Sequence, residues 1–199
     1  MAVAREEPWR LFVALELPGP VLEALAALQA ALKAQGLERL RWMRPQGIHL
    51  TLKFLGDTPP ARLGELMGAL EEATAGTGPL RLALSGLGTF AGRGGPRVLW
   101  VGLEGDLQRL ALLQRRVEEA LAPLGFPREG RPFSPHLTLA RVPKQEARRA
   151  APLLQRALPL VTVPPVTMSL TAVSLMRSHL QPTGALYERV ATFPLLQAP

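Results

Sequence analysis

Cysteine is absent from the 199-residue chain, which excludes disulfides, thiolate nucleophiles and cysteine-held zinc or iron–sulfur centres. Asparagine is also absent, and lysine occurs only at Lys33, Lys53 and Lys144. The excess of 23 Lys plus Arg over 16 Asp plus Glu, net +7, is therefore almost entirely arginine. Arginine's planar fork suits phosphate, so the bias points to an anionic partner such as RNA; the same composition also fits a GC-rich or heat-adapted source. No apolar run approaches the roughly 20 residues that cross a bilayer. Glu6, Glu7 and Pro8 stand where a leader peptide needs an apolar stretch, so a cytoplasmic protein with no membrane partner is expected. With 47% hydrophobic and 20% charged residues the chain is not of the disordered class, and its length suits one domain.

The apolar patterning alternates between the two regular periods. Arg10–Leu17 is a strand ended by Pro18-Gly19-Pro20, and Val21–Gln35 carries leucines at helical spacing up to Gly36. Ile48–Leu55 reads as a strand and Pro59–Ala75 as a helix. Leu80–Leu87 and Arg97–Leu103 are strands joined by an irregular basic loop at Ala91–Pro96; the helix Leu107–Leu124, the strand His136–Val142 and the helix Gln145–Leu158 follow. Val166–Leu175 and Tyr187–Phe193 close the series. Hairpins mixed with helices predict an α+β fold with antiparallel or mixed sheets.

One string occurs twice. Arg44-Pro45-Gln46-Gly47-Ile48-His49-Leu50-Thr51-Leu52 matches Arg131-Pro132-Phe133-Ser134-Pro135-His136-Leu137-Thr138-Leu139 without a gap, as R-P-x-x-x-H-L-T-L. The chain has three histidines, and two of them lie in this string, 87 residues apart, each downstream of a leucine-rich helix. Residues 1–199 thus read as one two-lobed domain with an internal repeat, its motifs at 44–52 and 131–139.

On a strand, His49 and Thr51 share one face while Leu50 and Leu52 take the other; His136 and Thr138 repeat the arrangement. The leucines anchor each strand on a core, leaving imidazole and hydroxyl facing open space. Two such faces meeting across a cleft place one imidazole to take a proton from water and one to give a proton to a departing alcohol, as opening a cyclic phosphodiester requires. An imidazole titrates near neutral pH and serves either role, so neither metal nor cofactor is needed. A single H-x-T is commonplace on structural strands, but packing alone gives no reason to keep an ionisable ring twice. Two histidines with no cysteine and no H-E-x-x-H string leave zinc short of ligands.

At these residues the sequence resembles the two-histidine phosphoesterases, specifically the RNA 2′,3′-cyclic 3′-phosphodiesterases also called 2′-5′ RNA ligases. The likeness extends through Arg10–Ala14, Leu52–Gly56, Pro96–Gly102, Ser134–Arg141 and Gly184–Tyr187. It implies two pseudo-symmetric lobes with antiparallel sheets facing a central groove and helices outside. It also implies hydrolysis of a terminal 2′,3′-cyclic phosphate to a 2′-phosphate by a monomer acting on RNA ends, such as those of tRNA fragments. In that reading His49 gives the proton to O3′ and His136 activates water, and the same pair is competent to join a 5′-hydroxyl to a cyclic phosphate. Thr51 and Thr138 would hold phosphate oxygens. Arg141 matches a family arginine near the phosphate, and Phe12 and Phe54 match positions expected to stack on the terminal base.

Strand parity opposes part of this assignment. Arg141 and Phe54 each lie five residues past their histidine, an odd offset that puts them on the opposite face unless the strand bulges. Lys53 is then the residue on His49's face. Small cyclic nucleotides are an alternative substrate, and binding of RNA ends without catalysis an alternative role. His179 reads as a surface loop residue, Tyr187 as core or groove wall, and Trp42 and Trp100 as core or rim.

Overall fold

The computed structural model describes residues 7–181 and 184–197. Met1–Glu6, on which part of the leader reading rests, lie outside the described residues, as does Pro182 beside the His179 segment. Among the described residues nine strands form two sheets, and every strand pair is antiparallel. The first sheet has the order β3 (His49–Thr58), β1 (Trp9–Glu16), β8 (Ala172–Gln181), β9 (Gly184–Pro194). The second has the order β2 (Arg41–Trp42), β6 (His136–Arg141), β5 (Gly95–Gly105), β4 (Leu80–Gly92), β7 (Thr167–Leu170). The fold is the α+β class expected, with two lobes, and the two motif strands occupy corresponding places: β3 beside β1, β6 beside β5.

Four helices, α1 (Gly19–Leu32), α2 (Leu63–Thr74), α3 (Leu107–Leu121) and α4 (Ala147–Ala157), cover one face of the sheets. Their leucines make the core with alternate strand residues: Leu25 and Leu28 of α1 and Leu110 and Leu113 of α3 join Leu11, Val13 and Leu15 of β1 and Leu50 and Leu52 of β3. Pro20 at the start of α1 spends no needed N–H, and Gly36 at φ +87° ends the turn that follows it.

Two element expectations need correction, and one strand had no expectation at all. The stretch Ala91–Pro96 is not an irregular loop, because β4 runs to Gly92 and β5 starts at Gly95, leaving Arg93-Gly94 as a two-residue turn with Gly94 at φ +87°. Val166–Leu175 is not one strand: β7 pairs with β4 in the second sheet and β8 with β1 in the first. Continuous apolarity carries no mark of a change of sheet. Finally β2, two residues long, gave no periodic signal, yet it forms the edge of the second sheet.

Candidate functional site

Both motif strands break their alternation at the same place. In the β1–β3 ladder Val13 pairs with Lys53 and Ala14 with Thr51, leaving Leu52 as an extra residue; in the β5–β6 ladder Leu99 pairs with Ala140 and Trp100 with Thr138, leaving Leu139 extra. An extra residue turns the rest of the strand over. Lys53 therefore joins Leu50 and Leu52 on the core face and Phe54 returns to the face of His49; Ala140 and Arg141 do the same after His136. The carbonyl of each extra residue meets a glutamine side chain from a helix. Gln29 Nε2 of α1 donates to Leu139 O at 3.0 Å and to Met43 O at 2.9 Å, and Gln114 Nε2 of α3 lies 3.4 Å from Leu52 O.

The bulges decide between the site residues. Lys53 is not a phosphate contact: it is 6% exposed, and its ammonium meets Glu118 Oε2 at 2.5 Å and Pro127 O at 2.7 Å. Phe54 is 71% exposed, so it is no core residue, and Arg141 is exposed on the same face as His136. Phe12 is on that face too, but at 3% exposure it has no free ring face for a base; its ring stacks on His49, centroids 4.7 Å apart.

The histidines are held alike. His49 Nδ1 lies 2.9 Å from Gly47 O and His136 Nδ1 lies 2.7 Å from Ser134 O, in each case the carbonyl two residues earlier. A carbonyl only accepts, so each Nδ1 carries the hydrogen and each Nε2 is the nitrogen left to exchange protons. Aromatic rings brace both: Phe12 and the edge of Tyr187 (5.0 Å) for His49, and the edge of Phe90 (4.7 Å) for His136. Trp100 lies beside Phe90 and covers Gly88, where a Cβ would come within 2.3 Å of its ring. Although they belong to different sheets, β3 and β6 have residues within 8 Å of one another, Cα to Cα. The Thr51 and Thr138 hydroxyls, half-buried, point the same way as the rings two residues before them.

Burial pushes the His49 imidazole below its ordinary value, opposed by its bond to Gly47 and by the charge of Glu16. Glu16, the cross-strand partner of His49, is fixed by Ser174 Oγ at 2.5 Å and by a two-pronged contact from Arg189 at 2.7 Å. Tyr187 is a groove wall, its phenol pushed up by burial and drawn down by Arg141 and Arg10.

Residues 17–182 match the family described as the 2′-5′ RNA ligase superfamily. The chain belongs to that superfamily. It is 36% identical to an RNA 2′,3′-cyclic phosphodiesterase of Geobacillus stearothermophilus over 94% of its own length, spanning 58% of that relative. It is 30% identical to the protein of the same name from Methanothermobacter thermautotrophicus, over 94% of this chain and 98% of that one. Among solved structures, E. coli LigT complexed with 3′-AMP superposes with a TM-score of 0.76 at 27% identity, covering 96% of this chain and all of the other.

In this superfamily member β3 and β6 thus each present an N–H-anchored imidazole and a hydroxyl on one face, and β6 adds Arg141 on the same face. Among the described residues no group of three or more His, Cys, Asp or Glu is placed to hold a metal ion, and no helix is long and apolar enough to cross a membrane. Sequence reasoning missed Glu16 and Gln29, whose partners are remote in sequence, as well as Met176, which packs with Phe12 and Tyr187, and Phe90, whose ring meets His136. His179 belongs to strand β8, not a loop; its Nε2 meets Glu188 Oε2 at 2.7 Å on the surface. Trp42 packs on the core, its Nε1 donating to Leu37 O.

Proposed function

We propose that the chain hydrolyses the 2′,3′-cyclic phosphate at an RNA 3′ end to a 2′-phosphomonoester, with His49 and His136 as the proton-exchanging pair. Membership of a family whose relatives carry the name RNA 2′,3′-cyclic phosphodiesterase makes the chain a phosphodiester hydrolase. What supports the finer reading is one observation: both histidines hold Nδ1 against a carbonyl two residues back and keep Nε2 for exchange, on neighbouring strands.

In the step itself, water attacks phosphorus as His136 Nε2 takes its proton, and the bond from phosphorus to O3′ breaks as His49 Nε2 delivers a proton to that oxygen. Thr51 and Thr138 donate to the nonbridging oxygens and offset part of the charge gathering there. Phe54, exposed beside the site, stacks on the terminal base. A 5′-hydroxyl in place of water makes a 2′-5′ linkage by the same exchange. The protein acts as a cytoplasmic monomer on RNA ends such as those of tRNA fragments, with no metal or cofactor.

The test is the product from a short RNA ending in a 2′,3′-cyclic phosphate, incubated with chelator present. A 2′-phosphate is expected. A 3′-phosphate overturns the order of bond breaking, and tight binding with no product leaves an RNA-end-binding module.

A further inference from the structure

Arg41 and Arg141 are direct cross-strand partners on β2 and β6. Antiparallel partners project to the same face, and their neighbours fix which face it is: Trp42 packs on the core and its partner Ala140 is fully buried. Both arginines therefore extend from the groove side, and both are exposed. Among the described residues neither makes an ion pair with a carboxylate, and Arg141 acts electrostatically on the Tyr187 phenol. Like charges placed directly opposite destabilise a strand pair, and no ion pair among the described residues offsets this one. An anion between the two forks does.

We propose that Arg41 and Arg141 together form a second phosphate site, which takes the internucleotide phosphate preceding the 3′-terminal nucleotide of the substrate. The inference rests on the reaction proposed above and adds the substrate class, an RNA of at least two nucleotides. His136 and Arg141 are at opposite ends of β6, up to about 16 Å apart along the strand. Arg41 is one strand farther out, on the sheet edge. A phosphate held at His136 and Thr138 leaves this pair of forks beyond it, and the next anion an RNA chain presents is its next phosphate. Arg10, on the groove face of the other sheet with Asp57 as its cross-strand neighbour, bears with Arg141 on the Tyr187 phenol, so positive charge borders this end of the groove from both lobes.

The experiment compares a 2′,3′-cyclic mononucleotide with a dinucleotide ending in a 2′,3′-cyclic phosphate, for the wild type, Arg41→Gln and Arg41→Lys. Arg41→Gln lowers the dinucleotide-to-mononucleotide ratio of kcat/KM roughly tenfold or more, through KM. The slope of log KM for the dinucleotide against log salt becomes shallower by about 0.7. Arg41→Lys keeps the slope and recovers only part of the ratio, because an ammonium has no fork. The melting temperature of Arg41→Gln is unchanged or higher, since a repulsion has gone. An unchanged ratio and slope, an equal loss on both substrates, or a fall in melting temperature overturns the second site. Wild-type failure on both substrates overturns the proposed reaction instead.

Discussion

The side-chain amide of Gln29 bonds to the backbone carbonyl of Leu139, 110 residues away in sequence. Leu139 is the extra residue of the bulge that turns Arg141 toward the groove, and its carbonyl also accepts from Met43 N at 2.9 Å. Replacing Gln29 by Leu leaves Met43 O without its amide donor and weakens the hold on the bulge. A loss of about 1–3 kcal/mol in chemical denaturation is expected. A drop in kcat accompanies it, because the strand between His136 and Arg141 loses a fixed point. Unchanged stability would show that the amide is dispensable.

Glu16 stands across from His49, whereas Gly102 stands across from His136. Its negative charge favours the imidazolium of His49 against the effect of burial, so Glu16→Gln lowers the His49 pKa further. In a pH profile of kcat/KM the limb belonging to His49 shifts to lower pH and the other limb stays. A shift to higher pH would contradict the arrangement. The same lowered pKa links to stability: the unfolded chain takes the proton first, so folding free energy declines as pH falls from about 6.5 toward the folded value. His49→Gln removes that portion of the decline.

Each of His49→Ala and His136→Ala is expected to reduce kcat/KM by roughly 10²–10⁴-fold, with the double variant no worse than the product of the two. Single-turnover assays on a cyclic-phosphate-ended oligonucleotide measure this. Near-normal rates in both single variants would remove the pair from the chemistry.

Lys53 and Glu118 form an ion pair that is buried on both sides. Lys53→Met leaves a carboxylate without its cation and costs about 3–5 kcal/mol. Pairing it with Glu118→Leu restores most of the loss, as the two sites then pack as hydrocarbon. Urea denaturation of the single and double variants decides it, and a double variant no better than the single would mean that the pair's shape, not its charge, matters.

Phe54→Ala removes an exposed ring, so its effect on stability stays within about 0.5 kcal/mol. Loss of base stacking worth about 1–3 kcal/mol appears in KM for an RNA substrate. An unchanged KM would leave the exposed ring without a ligand.

The repeated string was enough to place both histidines and both threonines, because alternation holds from His49 to Leu52 and from His136 to Leu139. It fails at the next residue. In the first copy Leu52-Lys53-Phe54-Leu55 still reads as apolar alternating with polar or aromatic, so a buried lysine is invisible until Glu118, 65 residues later, is brought beside it. The second copy held the missing signal: Leu139-Ala140, two small or apolar neighbours where alternation demands one, with Ala140 at the place of Lys53. Helix and strand types were legible from local period. The division of Val166–Leu175 between two sheets was not, since both halves are equally apolar and only remote partners tell them apart.

The order β3-β1-β8-β9 has a consequence for how the protein is made. During synthesis β1 leaves the ribosome before either of its neighbours, and β3 supplies one of them soon afterwards. The other neighbour is β8, residues 172–181. Until that stretch emerges, β1 keeps an unpaired edge, and the floor beneath His49 lacks Met176 and Tyr187. A nascent chain arrested before residue 172 therefore carries both histidine strings but cannot build the wall on which the first ring rests.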